Sequence, residues 1–317
     1  QAVLLLPVLL KSGYVWTPRF DWRDSGLGKA AKLATWTVAL VLVNQITYLF
    51  FTRFAAQANV NASASDMVAA GITTYQKAHL VFMLPHSVIT ISLVTALLPS
   101  LSRVAHAGLL LDVGRDVARA MRVVSVLIVP IAAVLAVNGA AISILLFGYG
   151  AATPEQAAFM GITVTMFMVG LPAFTLFYVL LRGFYALEDT RTPFFVTVAF
   201  SAVMLLLAYP LFNLMSGGGT QVAALALAYS LAYWAGLAIA WMTLARRLGT
   251  LESGRTVWAL VRVLLAGAVS IAVMLVVTAA AFSAQAPSSQ VTLEVRLNLL
   301  LTVAVVSAVG LAVFVLA

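Results

Sequence analysis

Hydrogen-bonding side chains inside an oily segment are the first chemistry this sequence offers. Thr73, Gln76, His79, His86, Ser87 and Thr90 fall within one arc of roughly 140° if the segment turns by about 100° per residue. Lys77 lies just beyond that arc. Asn44, Gln45, Thr47 and Tyr48 supply a second polar group, just over one helical turn long, in an earlier segment. Such faces bind polar ligands or line water. Catalysis would need more, because a nucleophile has to stand beside a base. No nearby Ser/His/Asp arrangement exists, and no paired carboxylates lie inside an apolar segment. His106 and Asp112, in a polar joint, are too little to define an acyltransferase site. Three scattered histidines and no cysteine leave metal ligation without a donor set. The expected chemistry is therefore binding, without a cofactor, a metal or an enzymatic step.

The surroundings of these residues are overwhelmingly apolar. Of 317 residues, 63% are hydrophobic and only 9% are charged, where a soluble domain carries about 25% charged residues. A water-soluble fold would expose most of that apolar set, so soluble enzymes are excluded. A spanning helix needs about 20 mostly apolar residues. Eight such runs occur, at 34–55, 72–101, 123–147, 159–187, 194–215, 221–245, 257–282 and 296–317. The expected fold is all-α, a polytopic membrane helix bundle of about eight transmembrane helices. Residues 1–10 read as the tail of a ninth, and the chain stops at Ala317 inside an apolar run, so the sequence reads as a piece of a longer membrane protein.

The joints alternate sides, and charge sorts them. All but three of the 18 basic residues (Arg53, Lys77 and Arg296) fall on one side, which also carries the whole net charge of +8. Lys/Arg excess marks the cytoplasmic side. The positive charge is thus a matter of topology, and no nucleic-acid partner is expected. Asp112 to Val123 alternates charged and apolar residues, which fits an interfacial amphipathic helix or a solvated basic turn. Pro85, Pro130, Pro172 and Pro210 sit inside spans, as bent or broken helices of a moving transporter would require. A polar face in hydrocarbon is costly, so the second span's arc should face a water-filled cavity or another helix. The plainer alternative to cavity lining places Lys77 and His79 near the outer interface, where lysine snorkels. Asn44 and Gln45 either line the same cavity or join helices.

Two sequence blocks carry a resemblance. Arg182 to Pro193 reads RGFYALEDTRTP, after a span containing Gly170-Leu171-Pro172. Leu84 to Arg103 reads LPHSVITISLVTALLPSLSR. Together they resemble the MurJ/MviN family of lipid II flippases, in the MOP exporter superfamily. Arg19 to Trp22 (RFDW) with Val43-Asn44-Gln45 is similar to actinobacterial members. The resemblance implies that residues 1–33 end a preceding span, that 34–246 form the second six-helix lobe, and that 247–317 form two additional C-terminal helices. It further implies a multi-pass protein of the bacterial cytoplasmic membrane. Such a protein moves the undecaprenyl-pyrophosphate-linked peptidoglycan precursor from inner to outer leaflet by alternating access. Its partners would be that lipid, the bilayer, an N-terminal lobe of the same chain, and a cytoplasmic regulatory domain or cell-wall proteins.

By the same resemblance, Lys77, His79, His86, Asn44, Gln45, Gln76, Ser87 and Thr90 would line the substrate cavity. Arg182, Glu188, Asp189 and Arg191 would form a cytoplasmic gate that exchanges ion pairs. The residue types alone also explain a tight turn, capped by Asp189 or Thr190 and followed by Pro193. Leu80 stands where the family places an arginine, with Lys77 or His79 nearby as the source of positive charge. A sodium site like that of some members would draw on Asn44 or Gln45 and Ser230, but Met204, Leu205 and Ala208 stand where its asparagine or aspartate is expected. The last two spans would form a groove for the prenyl tail. A related exporter of other lipid-linked or small substrates, or a non-transporting scaffold for cell-wall synthesis, remains open at this point.

Overall fold

A computed structural model describes residues 27–64, 71–148, 154–215, 218–282 and 293–317. Among the described residues there are ten α-helices, one π-helical turn and no strand. They are α1 (Leu27–Ala64), α2 (Ile72–Pro85), α3 (Ile91–His106), α4 (Leu110–Val137), α5 (Gly139–Phe147), α6 (Pro154–Ala186), α7 (Arg191–Leu214), α8 (Gly218–Leu248), α9 (Ser253–Phe282) and α10 (Leu293–Leu316). Seven of these helices are long and apolar enough to cross a membrane. Helices are the form such runs must take, because every backbone N–H and C=O in hydrocarbon needs a partner within its own segment.

The second apolar run is not one helix. Pro85 has no N–H to donate and closes α2, and a π-helical turn, His86–Thr90, joins it to α3. The third run is also interrupted. Buried Asn138 sits between α4 and α5 and donates from Nδ2 to the Val134 carbonyl (2.9 Å). Pro130, Pro172 and Pro210, by contrast, lie within helices that continue past them. Asp112 to Val123 is not a separate interfacial helix. Val113, Val117 and Ala120 are buried, so this stretch is the first part of α4 and uses its apolar side for packing. Residues 1–26, with the earlier span's tail, Lys11, Arg19, Arg23 and RFDW, lie outside the described residues.

The core is built around α6, whose apolar window is 78% buried. It packs along α8, α4, α5 and α2. Small residues allow the close approaches. A Cβ on Gly170 would come within 2.6 Å of the Ser230 Cα, and the Ser230 hydroxyl donates to the Met166 carbonyl (2.7 Å). Ser230 thus serves as a joint between α6 and α8. Outside this core, α9 and α10 pair with each other and lean on α4. The Ser270 hydroxyl donates to the Gly310 carbonyl (2.6 Å) between them.

Two helices are half-naked. α1 buries one seam, Thr47, Phe51, Ala55, Ala58 and Ala62, against α7 and α8. Its other side exposes Leu42, Ile46, Leu49 and Phe50. α2 likewise exposes Leu80 and Leu84, with Val88 in the π turn.

Candidate functional site

The polar arc of α2 straddles two faces, because an arc this wide is broader than one packing contact. Its His79–His86 edge turns into α6, and its Gln76–Ser87 edge turns outward. His86 is 4% exposed, with its Nδ1 3.3 Å from the Thr175 hydroxyl and its ring edge-on to Phe174 and Tyr178. His86 therefore joins α2 to α6 and does not line the cavity described next. Ser87 is exposed, and its hydroxyl donates to the Met83 carbonyl (2.7 Å). Thr90 closes the π turn, and its side chain is outside the described residues.

Between the outward edge of α2 and the neighbouring side of α1 lies a cavity of about 430 Å³. From α1 it receives Asn44, Gln45, Thr47, Tyr48 and Phe51. From α2 it receives Tyr75, Gln76 and His79. Met204 of α7 and Tyr229 of α8 complete it. Gln76 Nε2 donates to the Tyr48 hydroxyl (3.1 Å), linking the two helices across the cavity mouth. His79 stacks on Tyr75 at a ring distance of 6.3 Å and meets Phe167 and Tyr229 edge-on. Aromatic packing from α6 and α8 thus fixes one wall, while exposed α1 supplies free amides on the other. Among the described residues, no Lys, Arg, Asp or Glu lines this cavity.

Lys77 is one position from Gln76 but serves another chamber. Its ammonium lies over the Phe147 ring, 5.3 Å from the centroid. That chamber, about 500 Å³, is lined also by Asn59, Thr73, Thr74, Phe147 and Gln156. The 100° step between consecutive helical residues separates the two sites. Of the predicted cavity residues, Asn44, Gln45, Gln76 and His79 come together; Lys77, His86 and Ser87 do not join them. Tyr48, Tyr75 and Tyr229 complete the wall, and only Tyr48 carried a sequence signal, as part of the Asn44–Tyr48 polar turn. Tyr75 and Tyr229 look like ordinary span aromatics in a linear reading.

The RGFYALEDTRTP joint is a turn tied to its neighbours. Asp189 is buried and accepts from the backbone N–H groups of Arg191 (3.0 Å) and Thr192 (3.1 Å), capping α7. Its other oxygen accepts from the Arg247 guanidinium at the end of α8. Glu188, at a positive φ of 55°, faces His106 of α3 at 3.5 Å. Arg191 lies over the rings of Trp36 and Phe195. Arg182 lies over the Tyr185 ring, and its buried Nε has no hydrogen-bond partner. The side chains of Glu188, Asp189 and Arg191 thus reach other elements, Arg182 stays against Tyr185 of its own helix, and Asp189 meets Arg191 through that residue's backbone N–H. A third cross-joint pair, Arg122 with Glu252 (2.8 Å), lies in the same region. These contacts bring the 103–122, 187–191 and 246–255 joints to one end of the bundle, as the alternation of charge requires.

Among the described residues, no group of three His, Asp or Glu side chains is placed to hold a metal ion.

The architecture and the chain's motifs have counterparts. A solved structure of the lipid II flippase MurJ, in an inward closed conformation, matches with a TM-score of 0.63 at 17% identity. The match covers 99% of this chain and 59% of that one, and it speaks for the fold. The probable lipid II flippase MurJ of Rhizobium meliloti (strain 1021) is 32% identical over 164 residues, which is 52% of this chain and 31% of that protein. Its counterpart in Rhizobium tropici is 31% identical over 203 residues, covering 63% of this chain and 36% of the relative. That of Thermotoga maritima is 29% identical over 223 residues, covering 69% and 42%. The chain thus spans less than half the length of these curated relatives. The family model described as lipid II flippase MurJ matches residues 1–314, and the chain is a multi-pass membrane protein that belongs to that family.

Proposed function

We propose that this chain supplies the second six-helix lobe, residues 34–246, and two additional membrane helices, residues 247–317, of a transporter in the bacterial cytoplasmic membrane. Its cargo is the lipid-linked peptidoglycan precursor, carried from inner to outer leaflet. The observation that carries this reading is the open face of α1 and α2, where a polar cavity of about 430 Å³ is cut into otherwise apolar helices. Isolated polar groups in hydrocarbon are costly and mark substrate pathways. A first lobe from the rest of the chain faces this surface, and the two lobes rock about the cargo between them.

The basic end, with Arg182, Glu188, Asp189 and Arg191, faces the cytoplasm in this reading. The turn they form is the part of the gate that moves against His106 and Arg247. A cargo bearing a diphosphate then travels outward down the electrical gradient. Each charge gains about 2.3 kcal/mol per 100 mV when the inside is negative. With Leu80 on the open face, no guanidinium stands at that position of α2 to meet the diphosphate. That charge is met by the first lobe, while Asn44, Gln45, Gln76 and His79 serve the remainder of the cargo. Partners beyond the lipid, the bilayer and the first lobe are a cytoplasmic regulatory domain and the cell-wall enzymes that use the product.

The test is depletion of the full-length protein in its own host, with lipid II in the outer leaflet measured by a membrane-impermeant probe. The exposed pool should collapse while total lipid II rises. An unchanged rate of appearance in the outer leaflet overturns the reading.

A further inference from the structure

We propose that the cavity between α1 and α2 is a subsite for an uncharged sugar group of the cargo, and not for its diphosphate or its hydrocarbon tail. This deepens the flippase reading above and rests on it.

The cavity's chemistry excludes the charged part. Among the described residues no Lys or Arg lines it, and the ammonium of Lys77 is turned over the Phe147 ring in a different chamber. A diphosphate drawn from water into a site without positive charge loses its hydration and gains nothing comparable. A hydrocarbon tail is excluded for the opposite reason. Asn44, Gln45 and Gln76 would lose water without replacement bonds, which is the costly case for polar groups.

What fits is a ligand that is neutral and hydroxyl-rich, with apolar ring faces. The Asn44 and Gln45 amides make no hydrogen bond to another described residue and are exposed on α1, so their donors and acceptors remain available. Gln76 and Tyr48 hold each other at the mouth and keep unused valences, because an amide NH₂ has two donors and a phenol both donates and accepts. Tyr75 and Tyr229, braced by packing with Phe167, provide flat walls for the C–H faces of a pyranose. The volume of about 430 Å³ lies near the lower end of ligand pockets, which run from about 300 to 1,000 Å³. That is room for a sugar and not for a whole headgroup with its peptide.

The experiment uses the full-length protein in nanodiscs and two probes that share tail and diphosphate, lipid II and undecaprenyl diphosphate. The wild type should bind lipid II more tightly. Gln45→Ala with Gln76→Ala removes two neutral hydrogen-bonding groups, and it should weaken lipid II binding about tenfold. Binding of undecaprenyl diphosphate should stay unchanged, which also certifies that the variant is folded. Equal weakening of both probes, or of neither, overturns the sugar subsite. A wild type that binds both probes equally overturns it too and leaves the flippase reading standing. A wild type that binds neither overturns both.

Discussion

At the scale of single residues, Asp189 does two jobs with one carboxylate. One oxygen caps α7, and the other holds Arg247. The two jobs separate by substitution. Asp189→Asn keeps a capping oxygen and loses the charge pair, whereas Asp189→Ala loses both. The alanine variant should lose about 1–2 kcal/mol of stability, a typical cost for a lost cap, and the asparagine variant clearly less. Thermal unfolding in detergent reads the difference, and equal losses would mean that the ion pair alone matters. The capping role was legible in the sequence from an Asp just ahead of Thr190 and Pro193. The Arg247 partner was not, because 58 residues separate the two and no local spacing links them. Lys77 teaches the same limit. Its residue type matched a charge missing at Leu80, but one helical step turned it into a neighbouring chamber.

At the scale of elements, the apolar runs predicted nearly every helix, since length and hydropathy are summed over many residues and tolerate local error. Interruptions were harder to place. Five prolines lie in the predicted spans, Pro99 of α3 being the fifth, but only Pro85 ends a helix, because neighbouring groups can re-satisfy the backbone carbonyl that a proline frees. The Asn138-Gly139 break carried a turn signal of its own, masked by the apolar residues around it. The π turn after Pro85 yields a test. Pro85→Ala restores the missing N–H donor and should let α2 run straight into α3. Spin labels at Thr73→Cys and Ser100→Cys should then move apart, and transport should fall while the folded amount holds. An unchanged label distance would show that packing against α6, and not the proline, sets the bend.

At the scale of the whole molecule, topology was the most legible feature of all. Side-selective charge needs no knowledge of packing, and the joints it assigned to one side do meet at one end of the bundle. This chain has no cysteine, so single introduced thiols report cleanly. In intact cells, a membrane-impermeant maleimide should label Ser63→Cys and spare Ala107→Cys until the membrane is opened. The reverse pattern would invert the orientation. What the sequence could not convey was the division of the polar residues between two chambers, which depends on how α5 and α6 meet α2.

The ties at the two rims are unequal in kind. At the basic rim, His106–Glu188, Arg122–Glu252 and Asp189–Arg247 tie three helices and two loops together. At the opposite rim, Asn61 Nδ2 makes a neutral long-range contact to Gln221 Oε1 (3.0 Å). Dissolved salt weakens exposed ion pairs and leaves neutral amide contacts alone. Brine would therefore loosen the charged ties of the basic rim and leave the amide contact of the other rim as it is.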